Sequence, residues 1–231
     1  MQDYSGYRRH LALKKLLIAG LRRVMGWKAR LYRAKPPPAV TGTVVLLDRC
    51  LGLGDALMIS PALRLLESLG PVTVVTALPP LLAWSGDWRQ CPGWHTMTAE
   101  VKALSAQGRL LLAPKLGVGG LLALIRWPGL LPAGVIRLSD TSLLDTVSGR
   151  PGGIKARHYT EGAVAAARAL LWLGGSDPTV PTPERLPPRL PEDGGAGLTL
   201  PEGPLVALAP WATSRIRRWP LAHWSALIAR L

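Results

Sequence analysis

From Tyr7 to Arg33 apolar residues return at helical spacing. Leu13, Leu17, Leu21, Val24 and Leu31 fall on one side, and Arg8, Lys15, Arg22, Arg30 and Arg33 on the other. One amphipathic helix is predicted, with Trp27 bordering its apolar face. Lys35–Ala39 (KPPPA) then stops any helix or strand interior, so the folded domain is expected to begin near Val40. The pattern next changes to a short continuous apolar run, Thr43–Leu47. A loop with two glycines follows, Asp48–Gly54, and then Asp55 and a helical pattern in which Leu57, Leu63, Leu66 and Leu69 can share a face. Strand, glycine loop and helix in that order open a parallel α/β sheet.

The remaining pattern is read the same way. Val72–Thr76 is a β-branched run and a predicted strand. A short helix is expected at Leu78–Trp84, a loop at Ser85–Trp94, a strand near His95–Met97 and a short helix at Thr98–Gln107. A strand at Arg109–Ala113, a helix at Gly117–Arg126 and a strand at Val135–Leu138 follow. Asp140–Lys155 is polar and glycine-rich, and reads as a surface loop. Tyr159–Leu173 is a clear helix with Gly174-Gly175 as its stop. Ser176–Pro204 is rich in Pro, Gly and acid and reads as an interdomain linker. A new buried strand, Leu205–Ala209, leads through PWATSRIRRWP into a helix, Leu221–Leu231. Four segments are therefore expected: an arm at 1–39, a first domain at 40–175, a linker at 176–204, and the opening of a second domain at 205–231.

Charge changes this picture at one end. The chain has 231 residues and a formal charge of +14. The first forty residues hold ten Lys or Arg against Asp3 alone. That localisation points to a surface partner of the arm, an anionic membrane or a nucleic acid. A cationic face beside an apolar stripe with a Trp suits a helix lying in a membrane interface. The same pattern also suits a helix that packs its leucines on the domain and solvates its charges. No nucleic-acid recognition signature accompanies it. The N-terminus is too often broken by Lys and Arg for a secretory signal, and the longest other apolar stretch, Leu116–Ile125, is too short to cross a bilayer. Cys50 and Cys91 have no metal or disulfide spacing, which fits a reduced cytoplasmic setting.

Candidate chemistry centres on Asp55, a carboxylate where the first strand's loop gives way to its helix. It suits proton abstraction from a substrate held there, and it equally suits a helix cap. Gly52 and Gly54 are candidate turn and close-approach glycines, or simply a tight loop. LGLGD is not a dinucleotide fingerprint, and there is no Walker lysine. His95 and His158 each stand alone and suit structural or capping roles. Asp140 and Asp145 read as solvated loop acids. No cluster of metal-ligand type occurs in the sequence.

Two stretches carry a resemblance. LLDRCLGLGDALMISPALRLL resembles the N-terminal signature of glycosyltransferase family 9, the lipopolysaccharide heptosyltransferases. LVALAPWATSRIRRWPLAHWSALIARL is similar to the opening of that family's second domain, and HYTEGAVAAARALLWLG to the helix before its linker. The resemblance implies a GT-B fold, with a Rossmann-like acceptor domain followed by a donor domain. It implies inverting transfer of a heptose or related sugar, without cofactor or metal. The donor would be a nucleotide-diphosphate sugar, typically ADP-heptose, and the acceptor a lipid-linked saccharide at the inner membrane's cytoplasmic face. Asp55 matches the family's base. Thr213 and Ser214 match hydroxyls near the donor phosphates, and Arg217 stands where the family has a lysine. The family's donor domain has further strands beyond the position of Leu231, so this chain alone is expected to bind donor poorly and turn over little. The other reading is a non-catalytic membrane-associated remnant, or a subunit completed by another chain.

Overall fold

The computed structural model describes residues 5–31, 37–48, 52–129, 131–139, 142–145, 150–152, 159–189 and 220–230. The chain divides into two compact units, Met1–Leu190 and Pro191–Leu231. In the first, helix α1 (Ser5–Leu31) precedes strand β1 (Thr43–Leu47) and helix α2 (Leu53–Leu66), which ends in a single 3₁₀ turn at Glu67–Leu69. Strands β2 (Val72–Thr76) and β3 (Asp87–Gln90), helix α3 (Trp94–Ala106), strand β4 (Leu110–Ala113) and helix α4 (Val118–Ile125) follow. Strands β5 (Gly134–Ser139), β6 (Ser142–Asp145) and β7 (Arg150–Gly152) and helix α5 (Tyr159–Leu173) complete it. The described part of the second unit is helix α6 (Leu221–Ile228).

The fold is α/β. Among the described residues, seven strands form one sheet in the order β3-β2-β1-β4-β5-β6-β7. The first five pair in parallel, and β6 and β7 add an antiparallel hairpin at one edge. Every residue of β1, β2 and β4 is buried, as a central parallel strand covered on both faces requires. Side-chain alternation then divides the core into two layers. Val45, Leu47, Leu110 and Leu112 face α2 and α5. Val44, Leu46, Leu111 and Ala113 face α3 and α4, where Met25 of α1 joins them.

β1, β2, α4 and α5 match the pattern read from the sequence closely. Gly175 has φ of +75°, the left-handed conformation that ends a helix after α5. Four expectations are corrected. Residues 78–84 are irregular, not helical: Pro79 and Pro80 disfavour the α region for the residues before them, and Leu82 is buried in a bridge to Pro188. The loop expected at 85–94 contains β3. This edge strand is polar because it lies largely exposed, and its Asp87 accepts a hydrogen bond from Thr73 Oγ1 at 3.1 Å. His95–Met97 is not a strand but the first turn of α3. Met97, Val101 and Leu104 are its buried stripe, and Thr96 Oγ1 accepts from Gly93 N–H at the helix start. The loop expected at 140–155 contains β6 and β7.

Residues 176–189, read as linker, lie on the first unit. Leu186 is buried in the α2/α5 layer. Ala83 N–H donates to Pro187 O at 3.0 Å, and Arg189 N–H to Leu81 O at 2.9 Å. The strand expected at Leu205–Ala209 lies outside the described residues.

Candidate functional site

The sheet's direction of growth reverses between β1 and β4. The chain moves outward from β1 through β2 to β3, then crosses back to place β4 on the other side of β1. Such a reversal opens a crevice at the strands' carboxyl ends, where α/β proteins of this kind bind ligands. Asp55 sits there, on the third residue of α2, with Gly52 as the residue capping the helix. Its Oδ2 accepts from Gly52 N–H at 3.4 Å, and its Oδ1 lies 3.4 Å from Lys115 Nζ. Both contacts are long, and both side chains keep partial solvent access. A carboxylate in the first turn is also favoured by the helix dipole.

Gly52 and Gly54 do not have left-handed backbone, and a side chain at either would meet nothing within 4 Å. The turn therefore does not demand glycine. The consequence of having it is an uncovered amino terminus of α2, whose first amides have no intrahelical acceptor. Those amides, Lys115 and Asp55 lie close together at the helix start, where an anion could be received beside a proton acceptor.

Helix α2 also carries a proline within its span. Pro61 lacks the N–H that would satisfy Leu57 O, and Ser60 Oγ donates to that carbonyl instead, at 2.7 Å. The same hydroxyl accepts from Leu186 N–H at 2.9 Å. Ser60 thus repairs the helix and ties it to the 176–189 segment.

Two residues escaped the sequence reading. Asp48 directly follows β1 and is buried. Its Oδ2 accepts from Gly117 N–H, the residue capping α4, and so joins the two halves of the crevice. Lys115 follows β4. Its signal was present in the sequence: LLLAPKLGVGG repeats the strand–glycine–helix pattern of the first motif. Thr213, Ser214 and Arg217 lie outside the described residues, as do His158 and Asp140; Asp145 is in β6. His95 is exposed on α3 and lines a separate groove of about 480 Å³ with Trp94, Thr98, Lys102, Arg126 and Trp127. Among the described residues no group of His, Cys, Asp and Glu is placed to hold a metal ion.

Cys91 is half-buried at the carboxyl end of β3. Burial, then Glu100, push its thiol above the ordinary value, so it lacks the character of a reactive thiolate. Comparison of the chain with family models, with curated proteins and with solved structures found no match.

Proposed function

We propose that the first unit is the acceptor-side domain of an inverting glycosyltransferase of the family 9 type, with a GT-B arrangement. The observation that carries this reading is the meeting of Asp55, Lys115 and the open amino terminus of α2 at the β1/β4 reversal. In this reading Asp55 takes the proton from an acceptor hydroxyl as that oxygen attacks the anomeric carbon. The sugar–phosphate bond breaks on the opposite side, and the nucleoside diphosphate departs with the bonding electrons. Lys115 holds the carboxylate in place. Thr213, Ser214 and Arg217 would receive the diphosphate's charge, as the resemblance implies. The donor is a nucleotide-diphosphate sugar such as ADP-heptose, and the acceptor a lipid-linked saccharide at a cytoplasmic membrane face.

A second reading is favoured by the Gly52–Asp55 contact: Asp55 only caps α2, and the domain binds without catalysis. Asp55→Asn separates the two, because the amide oxygen can still accept from Gly52 N–H but cannot act as base. The assay is sugar transfer to a truncated lipopolysaccharide core by the chain fused to a donor domain. Transfer is expected to fall about a hundredfold or more, with acceptor affinity and melting temperature retained. Near-normal transfer would leave only the capping role. Lys115→Ala is expected to lower transfer while changing stability by less than about 1 kcal/mol, since the pair is partly exposed.

A further inference from the structure

The face of α1 that packs is not the whole of its apolar surface. Ile18, Leu21 and Met25 lie against the α3/α4 layer. Lys28, on the same side, is buried and donates to Leu124 O and Ile125 O, each at 3.0 Å, and to Trp127 O. The ammonium thereby caps the carboxyl end of α4 and fixes the rotation of α1 about its own axis. At ~100° per residue, that rotation sets a second group of apolar side chains along an adjoining arc about 100° wide. They are Leu13, Leu16, Leu17, Val24 and Trp27, respectively 66, 70, 51, 45 and 65 % exposed. Five large apolar side chains on one helical line, all open to solvent, form an unpartnered stripe.

We infer that this stripe is a docking surface for an anionic lipid bilayer, with α1 lying in the plane of the membrane interface. The charge beside it selects the occupant. Exposed Arg23 borders the stripe, and exposed Lys15 lies farther round the helix on the same side. The first forty residues are almost entirely basic among their charged positions. Anionic headgroups neutralise this surface, whereas a second copy of the chain would set the same cations against one another. Trp27 has the amphipathic ring that favours the headgroup level. No described helix is long and apolar enough to cross a membrane, so α1 rests on the bilayer and does not span it.

The inference stands on α1 alone and does not depend on the glycosyltransferase reading. The experiment therefore contains no sugar substrate. The full chain is sedimented with vesicles of phosphatidylcholine, and with vesicles of an equimolar phosphatidylcholine–phosphatidylglycerol mixture. Binding to the anionic vesicles is expected to exceed binding to the neutral ones by at least about tenfold, and to weaken with salt. The double variant Leu16→Glu/Leu17→Glu is expected to lose about tenfold or more of that binding with its circular dichroism unchanged, because both residues are exposed. Trp27→Ser gives an independent, smaller loss in the same direction. Equal binding by wild type and both variants would overturn the proposal, as would absence of vesicle binding. A dimer dispersed by the leucine substitutions, without any lipid binding, would overturn it in favour of a second copy as the occupant.

Discussion

At the scale of single residues, Lys28 shows how one buried charge can orient an element. Burial draws its pKa below the ordinary 10.5, while carbonyls at the end of α4 solvate the ammonium. Lys28→Met keeps the apolar stem but leaves those carbonyls without a donor. A loss of about 1–3 kcal/mol is expected, read by urea denaturation. The pH dependence has a definite sign. Between the lowered folded-state value and 10.5, the unfolded chain holds a proton that the folded chain tends to release. Wild-type stability should therefore rise with pH in that window, and the Met variant should lack this contribution. The sequence did not reveal this role. Lys28 reads as one more basic residue of an amphipathic helix, and only the position of α4's end makes it a cap. Asp55 was legible as a carboxylate at a strand–loop–helix junction. The strand–glycine–helix pattern around Lys115 was legible too, but its nearness to Asp55 was not, because that depends on β4 lying beside β1.

At the scale of elements, legibility followed burial. β1, β2 and β4 are covered on both faces and read as unbroken apolar runs. β3 is an edge strand with mostly exposed side chains, so its sequence DWRQ carries no apolar period. The start of α3 was misread because a β-branched residue, Thr96, stands where a helix-start side chain is needed, and the three residues at 95–97 are too few to reveal a period. The pairing of β5 rests on a feature no propensity shows. A side chain at Gly134 would stand 2.0 Å from Leu111 O, at the first pair of the β4–β5 ladder. Since the obstacle is backbone, it cannot turn aside. Gly134→Ala is expected to destabilise the first unit by more than about 2 kcal/mol, with loss of amide protection concentrated in β5 and in Leu110–Ala113. A change within about 0.5 kcal/mol would mean that the two strands can separate at this point without consequence.

At the scale of the whole molecule, the segment after α5 decides where the first unit ends. Its composition is that of a linker, with prolines and a glycine-rich end, and its described residues, 176–189, form no helix and no strand longer than an isolated bridge. Yet its first half crosses back over the amino-terminal elements. Leu186 enters the layer between α2 and α5, its N–H meets Ser60 Oγ, and Pro188 pairs with Leu82. Proline-rich sequence disguises such a strap, because the contacts come from single residues and not from a periodic face. The argument has a functional side, since the strap grips α2 a few residues below the turn that carries Asp55. Leu186→Ala is expected to remove about 2–4 kcal/mol of stability, the usual effect of emptying a buried leucine site. A chain ending after residue 175 should lose at least as much, because the Leu186 N–H that donates to Ser60 Oγ and the bridge to Leu82 are lost as well. Urea denaturation of the two variants against the parent measures both. If residues 176–204 acted only as a tether between units, Leu186→Ala would shift stability by no more than about 0.5 kcal/mol, as a surface substitution does. The larger loss would instead make the strap part of the scaffold that holds α2, and with it Asp55, at the reversal of the sheet.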